Sequence, residues 1–337
     1  MIADEIDALA AKQTFHLPRE MIADIRALSR VSHYYTPAVV ASNWLVIIGC
    51  AAITLYWPHP LAGVAAIAVV ATRQNALLVL MHEAVHGRMV PSKSWGDLIS
   101  NWFCAYPFFV STEAFRRDHL AHHSNVNTDD DPDLQRKLRR PSEWEFPKTK
   151  LELAALLLKD LCGRGLADFA SNFIFKLSSF RAAGEASRAR FSASLELACY
   201  YGLIAVCLTV SGLWLAFVFL WLVPFFTIVP ILVRIRSIAE HFALPAETEL
   251  NSTRNTLCPL WEQLVIAPHG INWHLDHHLF PSVPYYNLPL LHDVLLGVPE
   301  YQEMAAQANG YLGSSSQCVL QQVTPAVPRL LGKENET

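Results

Sequence analysis

The chain has 337 residues, 52% of them apolar and 17% charged, with a formal net charge of −4. A soluble globular protein carries about 25% charged residues, and here the deficit is concentrated in two runs, 31–72 and 197–233, that contain no Asp, Glu, Lys or Arg. These figures exclude a disordered chain, an ordinary soluble enzyme and a nucleic-acid binder.

In chain order, Leu17, Met21, Ile25 and Leu28 recur at helical spacing opposite Arg19, Glu20, Asp24 and Arg26. This predicts an amphipathic helix, lying either on the membrane surface or on the protein's own cap. Residues 1–38 are read as a cytoplasmic segment without a cleavable signal, so that the first span serves for insertion. A spanning helix needs roughly 20 apolar residues, so each uncharged run can hold two. We place spans at about 39–57 and 61–81, broken at Pro58-His59-Pro60, and at about 195–211 and 213–233, turning at Ser211-Gly212. Pro224 and Pro230 are expected to kink the fourth. Between the hairpins, 98–112 is uncharged but too short to span, which suggests a re-entrant or interfacial segment. The predicted fold is therefore an all-α integral membrane protein, with four transmembrane helices as two hairpins and a helical cap. Residues 39–295 form its membrane domain and 296–337 a polar tail with Gly-Ser-Ser-Ser at 313–316. Sixteen of the 26 basic residues lie between the hairpins, at 88–190, and neither hairpin turn contains one. The positive-inside rule then puts both termini and the cap in the cytoplasm.

Seven cysteines show no paired spacing and read as packing residues. The histidines do cluster: His82-Glu-Ala-Val-His86, His119-Leu-Ala-His122-His123 and His274-Leu-Asp-His277-His278. By composition His-x-x-His-His should occur about 0.02 times in such a chain, yet it occurs twice. Residues i, i+3 and i+4 share a helix face, so each cluster is expected to aim its imidazoles at one point, just outside the bilayer. Neutral imidazole suits iron, zinc and copper, and eight or nine exceed the needs of one ion, so two metals are implied. Isolated His16, His33, His59 and His292 are read as ordinary surface or hydrogen-bonded residues.

These three boxes, with the third extended as Asn272-Trp-His274-Leu-Asp-His277-His278-Leu-Phe-Pro281, resemble the membrane fatty-acid desaturase superfamily over about residues 40–295. Pro268-His-Gly-Ile-Asn-Trp-His and Asn-Leu-Pro-Leu-Leu-His at 287–292 are most similar to the bacterial branch that contains the rhizobitoxine-pathway desaturase. The resemblance implies a di-iron centre held by His82, His86, His119, His122, His123, His274, His277 and His278, with His241 after the fourth span as a ninth ligand. His269 is a weaker candidate. Some relatives hold a metal-bound water with an Asn four residues before the histidine that matches His241, where this chain has Ser237. Glu83, Asp118, Glu240, Asn272 and Asp276 adjoin ligands and could orient them, or be solvated and capping groups. The Asp129–Asp131, Asp133 run, with Asn127 beside it, is read first as a turn with its own caps. Arg73 interrupts the second span and either contacts a substrate carboxylate or headgroup, or snorkels.

The implied reaction is O2-dependent desaturation of a fatty-acyl or lipid chain, in a bacterial inner membrane, with electrons from a separate ferredoxin or cytochrome docked near 136–140. Open alternatives are a small amino-acid-derived substrate, and hydroxylation or ketone formation on a lipid or carotenoid. A more distant one is an intramembrane zinc protease, since His82-Glu-Ala-Val-His86 also fits His-Glu-x-x-His with Glu83 as base.

Overall fold

The computed structural model describes residues 17–167, 169–170 and 187–325. Residues 1–16, with His16, and the last part of the expected tail, 326–337, lie outside the described residues. Helices dominate. The first, α1 (Arg19–Leu28), buries Ile25 and packs against α12 (Leu288–Leu295) of the cap, so its apolar face is covered by the protein itself.

Three helices are long and apolar enough to cross a membrane: α2 (Tyr35–Tyr56), α3 (Pro60–Val85) and α9 (Trp214–His241). Helix α8 (Ser187–Ser211) carries a shorter apolar stretch, Leu195–Ser211. Pro60 opens α3, a position where the missing N–H costs nothing, and the His59 ring accepts from Leu61 N at 3.2 Å. Helix α3 runs past the expected end at 81 to Val85, with His86 as its C-cap. It is the central strut, packed on α2, α9, α4 (Lys93–Ser100) and α5 (Thr112–Ser124). Leu45, Ile48 and Ile53 of α2 face outward, as a lipid-facing surface requires.

The short apolar segment is not a plain helix. From α4 the chain passes into a π turn (Asn101–Ala105) and a 3-10 turn (Tyr106–Phe108), burying Cys104, Ala105, Tyr106 and Phe108. Irregular backbone at membrane depth must have its carbonyls satisfied from within the protein. Here Trp44 Nε1 donates to Phe103 O at 3.0 Å, Tyr201 Oη to Tyr106 O at 2.7 Å and Trp221 Nε1 to Pro107 O at 3.2 Å. The same logic explains the polar stretch inside α3. Arg73 donates to Leu264 O at 2.7 Å, Gln74 to Trp221 O at 2.8 Å and Asn75 to Ile266 O at 2.9 Å. Trp221 lies in a second π turn, Val218–Leu222, just before Pro224, so the α9 irregularity expected from its prolines takes this form.

The cap departs from the sequence reading in two ways. It holds a short two-stranded parallel sheet, β1 (Asn255–Leu257) with β2 (Gln307–Asn309), within an otherwise helical fold. The stretch read as the start of a polar tail is folded. Helices α13 (Pro299–Met304) and α14 (Val319–Val323) flank β2 and bury Tyr301, Tyr311, Val319 and Val323. Glu262 of α10 (Leu260–Val265) accepts from Tyr311 N and Leu312 N, pinning that stretch despite its Gly and Ser content.

Candidate metal centre

The last turns of α3 and α9, the middle and end of α5, and α11 (His274–Leu279) bring nine histidines into one cluster. They sort into two lobes. In the first, ligand-capable atoms of His82, His86, His119, His123 and His277 all lie within 4.8 Å of one another. In the second, His122, His241 and His278 do so, and His241 does so again with His274 and Glu240. The lobes share a wall, where His123 and His278 stack with ring centroids 4.0 Å apart.

The sorting corrects the expectation that each box aims at one point. Successive helical residues are about 100° apart, so the i, i+4 pair stays together while the i+3 residue swings away. His119 and His123 enter the first lobe and His122 the second; His274 and His278 enter the second and His277 the first. Each of these two boxes thus bridges both lobes.

The donor set fits a metal pair. His86 Nε2 and His119 Nε2 are 3.0 Å apart, and His241 Nε2 and His274 Nε2 2.9 Å. Two ligands at right angles around one ion, with bonds of about 2.1 Å, sit about 3.0 Å apart. His82 Nε2, His123 Nε2, His277 Nε2 and His278 Nε2 are buried without a hydrogen-bond partner, an arrangement that costs free energy unless the lone pairs are used. Burial, followed by repulsion from neighbouring histidines, pushes His119, His123, His274 and His278 well below the usual imidazole range, and His277 to about 3. These five rings are therefore neutral at physiological pH, the form that ligates.

The orienting groups differ from those expected. Asp131 holds His122 Nδ1 with both carboxylate oxygens at 2.9 Å, leaving Nε2 for a metal, as in carboxylate–histidine–metal triads. Burial would raise its carboxyl, but the His122 bond and the N–H groups of Asp133 and Asn127 outweigh this and hold it low. The same side chain caps α6 (Pro132–Leu138), so the turn-and-cap reading of this run was correct but incomplete. Asp118 faces outward and accepts from Arg136 at 2.7 Å, so it orients no ligand. Glu83 is buried 3.8 Å from His82 Nδ1, with its carboxylate accepting the Tyr285 N–H at 3.1 Å. Asn255 Oδ1 accepts from Leu275 N at 2.9 Å and Asp276 N at 3.3 Å, capping the third-box helix. Asp276 turns to His292 at 3.0 Å and to Tyr301, behind the site, which makes His292 a hydrogen-bonded core residue. Asn272 Nδ2 donates to Thr256 O at 3.1 Å.

His269 lies outside both lobes; its ring is 3.3 Å from Asn43 Nδ2, and burial beside Arg73 lowers it to about 4. Arg73 donates to Asn43 Oδ1 at 3.3 Å as well as to Leu264 O, so it is tied into the protein rather than snorkelling. Among α2, α8, α9 and Pro107 lies an apolar cavity of about 190 Å³, walled by Trp44, Tyr200, Tyr201, Ile204, Phe217 and Trp221.

Helices long and apolar enough to cross a membrane, ending in two lobes of partly to fully buried imidazoles that could hold metal ions, define a membrane-type polyhistidine protein. The sequence matches the family described as Fatty acid desaturase over residues 55–308, and the chain belongs to that family. It is 25% identical to dihydrorhizobitoxine desaturase of Bradyrhizobium elkanii over 283 residues, covering 80% of this chain and 78% of that one. It is likewise 25% identical to the sn-1 oleoyl-lipid 12-desaturase of Synechocystis sp., covering 83% and 79%. A chloroplastic omega-6 fatty acid desaturase of Arabidopsis thaliana matches at 25% over 66% of this chain and 50% of its own length. The chain is thus an oxidoreductase of the desaturase class, as the three boxes implied.

Proposed function

We propose that this protein is a four-span enzyme of a bacterial inner membrane, with both termini and the cap cytoplasmic, that desaturates the acyl chain of a lipid. The observation that carries the reading is the two-lobed imidazole cluster at the ends of two membrane-length helices. The topology is supported by the hairpin turns at His59 and at Gly212, whose φ is 70°, and by the absence of basic residues from both. His82, His86, His119, His123 and His277 would hold one iron, and His122, His241, His274 and His278 the other. When bound, this pair supplies O2-dependent oxidation strong enough to act on unactivated C–H bonds, which side-chain acid–base chemistry cannot do.

In balance, the substrate gives up two hydrogens from adjacent carbons and two electrons arrive from outside. With two protons these reduce O2 to two waters, and an electron-transfer partner of ferredoxin or cytochrome type would supply the electrons. What the chain's own residues supply is orientation and dryness. Asp131 fixes the His122 tautomer, Asn255 fixes the start of the third-box helix, and Glu83 ties α3 to the loop at Tyr285. The apolar pocket of about 190 Å³ supports an alkyl substrate over a small polar one, because Trp44, Tyr201 and Trp221 in its wall spend their N–H and O–H groups on backbone carbonyls.

The zinc-protease alternative is disfavoured by the same geometry. Its base would be Glu83, whose carboxylate is engaged with Tyr285 N, and five histidines rather than three surround the first lobe. The test is expression with a ferredoxin system, profiling both lipids and polar metabolites. The reading predicts acyl products lighter by two hydrogens. Products heavier by one oxygen, or lighter products confined to polar metabolites, would overturn it.

A further inference from the structure

The two lobes are unequal: the first has five imidazoles and the second four. The residue beside His241 is Glu240, buried in the same turn of α9. One of its oxygens accepts from Arg236 Nε at 3.1 Å, and Arg236 is anchored in turn on Asn75 Oδ1 at 3.2 Å. The other oxygen lies 3.9 Å from His274 Nε2.

The side of the ring that it approaches decides its role. An orienting carboxylate bonds the remote nitrogen of a ligating imidazole, as Asp131 does at His122 Nδ1. Glu240 instead approaches His274 Nε2, the atom that itself faces His241 Nε2 at 2.9 Å. The remote nitrogens, His241 Nδ1 and His274 Nδ1, are both buried without a partner, and Glu240 serves neither. Ligands on one ion with bonds of about 2.1 Å are about 3.0 Å apart at right angles and about 4.2 Å apart across it. The separations of 2.9 Å and 3.9 Å fall at or within about 0.1 Å of that range.

We propose that Glu240 is an oxygen ligand of the second metal, completing a five-donor lobe, with Arg236 holding its other oxygen. This rests on the two-metal reading and changes its chemistry. The lobes become distinct, one purely imidazole and one carrying a carboxylate, and the anion offsets part of a buried dication's charge. Glu240 then supplies from the chain itself an oxygen donor at the second metal.

The test uses the full-length protein in lipid nanodiscs, loaded anaerobically with 57Fe(II), and reads iron per chain and Mössbauer spectra. Wild type should hold two irons with two resolved doublets. In Glu240→Gln, the doublet of the second iron should shift and its iron should bind at least tenfold more weakly, while the first stays in place. Glu240→Asp should keep two irons with a smaller spectral change. Arg236→Gln leaves the carboxylate present and should keep both irons. Retention of the first doublet shows that each variant is folded. An unchanged spectrum in Glu240→Gln, or equal iron loss from Arg236→Gln and Glu240→Gln, overturns the assignment. A wild type that never binds a second iron overturns the two-metal reading itself, and this inference with it.

Discussion

Replacement of Asp131 separates its two jobs. Its oxygens hold His122 Nδ1, accept from Asp133 N at 2.8 Å and Leu134 N at 3.3 Å at the start of α6, and take the Asn127 N–H at 3.1 Å. In Asp131→Asn the remaining oxygen can still cap α6, since Asn caps as well as Asp. One buried hydrogen bond is lost, worth about 1 kcal/mol to the metal-free fold. In Asp131→Ala the cap is lost too, adding about 1 kcal/mol. Both substitutions remove the charge that orients His122, an effect of about 10- to 100-fold on metal affinity. At about 1.4 kcal/mol per decade this amounts to roughly 1.4–2.8 kcal/mol. Because His122 belongs to the second lobe, the loss should be confined to one of two binding steps. Anaerobic Co(II) titration followed optically reads the steps, and thermal unfolding of the metal-free protein reads the fold. Wild-type-like second-step binding in Asp131→Asn would refute the reasoning, as would equal weakening of both steps.

Further outcomes follow from other residues. Ile204→Trp, which fills the membrane cavity, should lower activity on long acyl chains at least tenfold and leave metal content unchanged; unchanged chain-length preference would remove the cavity from the account. Arg73→Leu removes the bonds to the Leu264 carbonyl and Asn43 Oδ1 and should cost about 1 kcal/mol in unfolding measurements, with KM within about twofold of wild type. A large rise in KM would restore a substrate-binding role for Arg73. The metal-free protein should lose stability as pH falls below about 6.5. His119, His123, His274, His277 and His278 have folded-state values below their unfolded ones, so the unfolded chain gains protons first. Their contribution is fully present above that pH and is lost toward the folded value, about 3 for His277. A melting temperature that is flat or rising from pH 7.5 to 5 would contradict this.

The histidines were legible because helical spacing and rarity are both properties of the linear sequence. Their sorting was not, since His122 and His123 are chain neighbours whose rings enter different lobes, and only the packing of α5 on α3 and its ring contacts with α11 decide which. Asp131 was hidden because a carboxylate in an Asp-rich turn looks the same whether or not a histidine nine residues earlier folds back onto it. Arg73, Gln74 and Asn75 stood out as polar residues in a span, but their partners, the carbonyls of Leu264, Trp221 and Ile266, lie about 150 to 190 residues away, at the end of α10, in a π turn and just past α10. The folded stretch 299–325 was masked by its composition. Its anchors are a few widely spaced residues, Tyr301, Tyr311 and Val323, met by a buried carboxylate from α10.

The central claim is that two irons sit in the two histidine lobes, and counting metal against protein in the full-length chain tests it most directly. The account predicts two irons per chain after anaerobic loading. It also predicts about one iron in His123→Ala, lost from the first lobe, and about one in His278→Ala, lost from the second. One zinc per chain in the wild type, or a count unchanged by both substitutions, would contradict it.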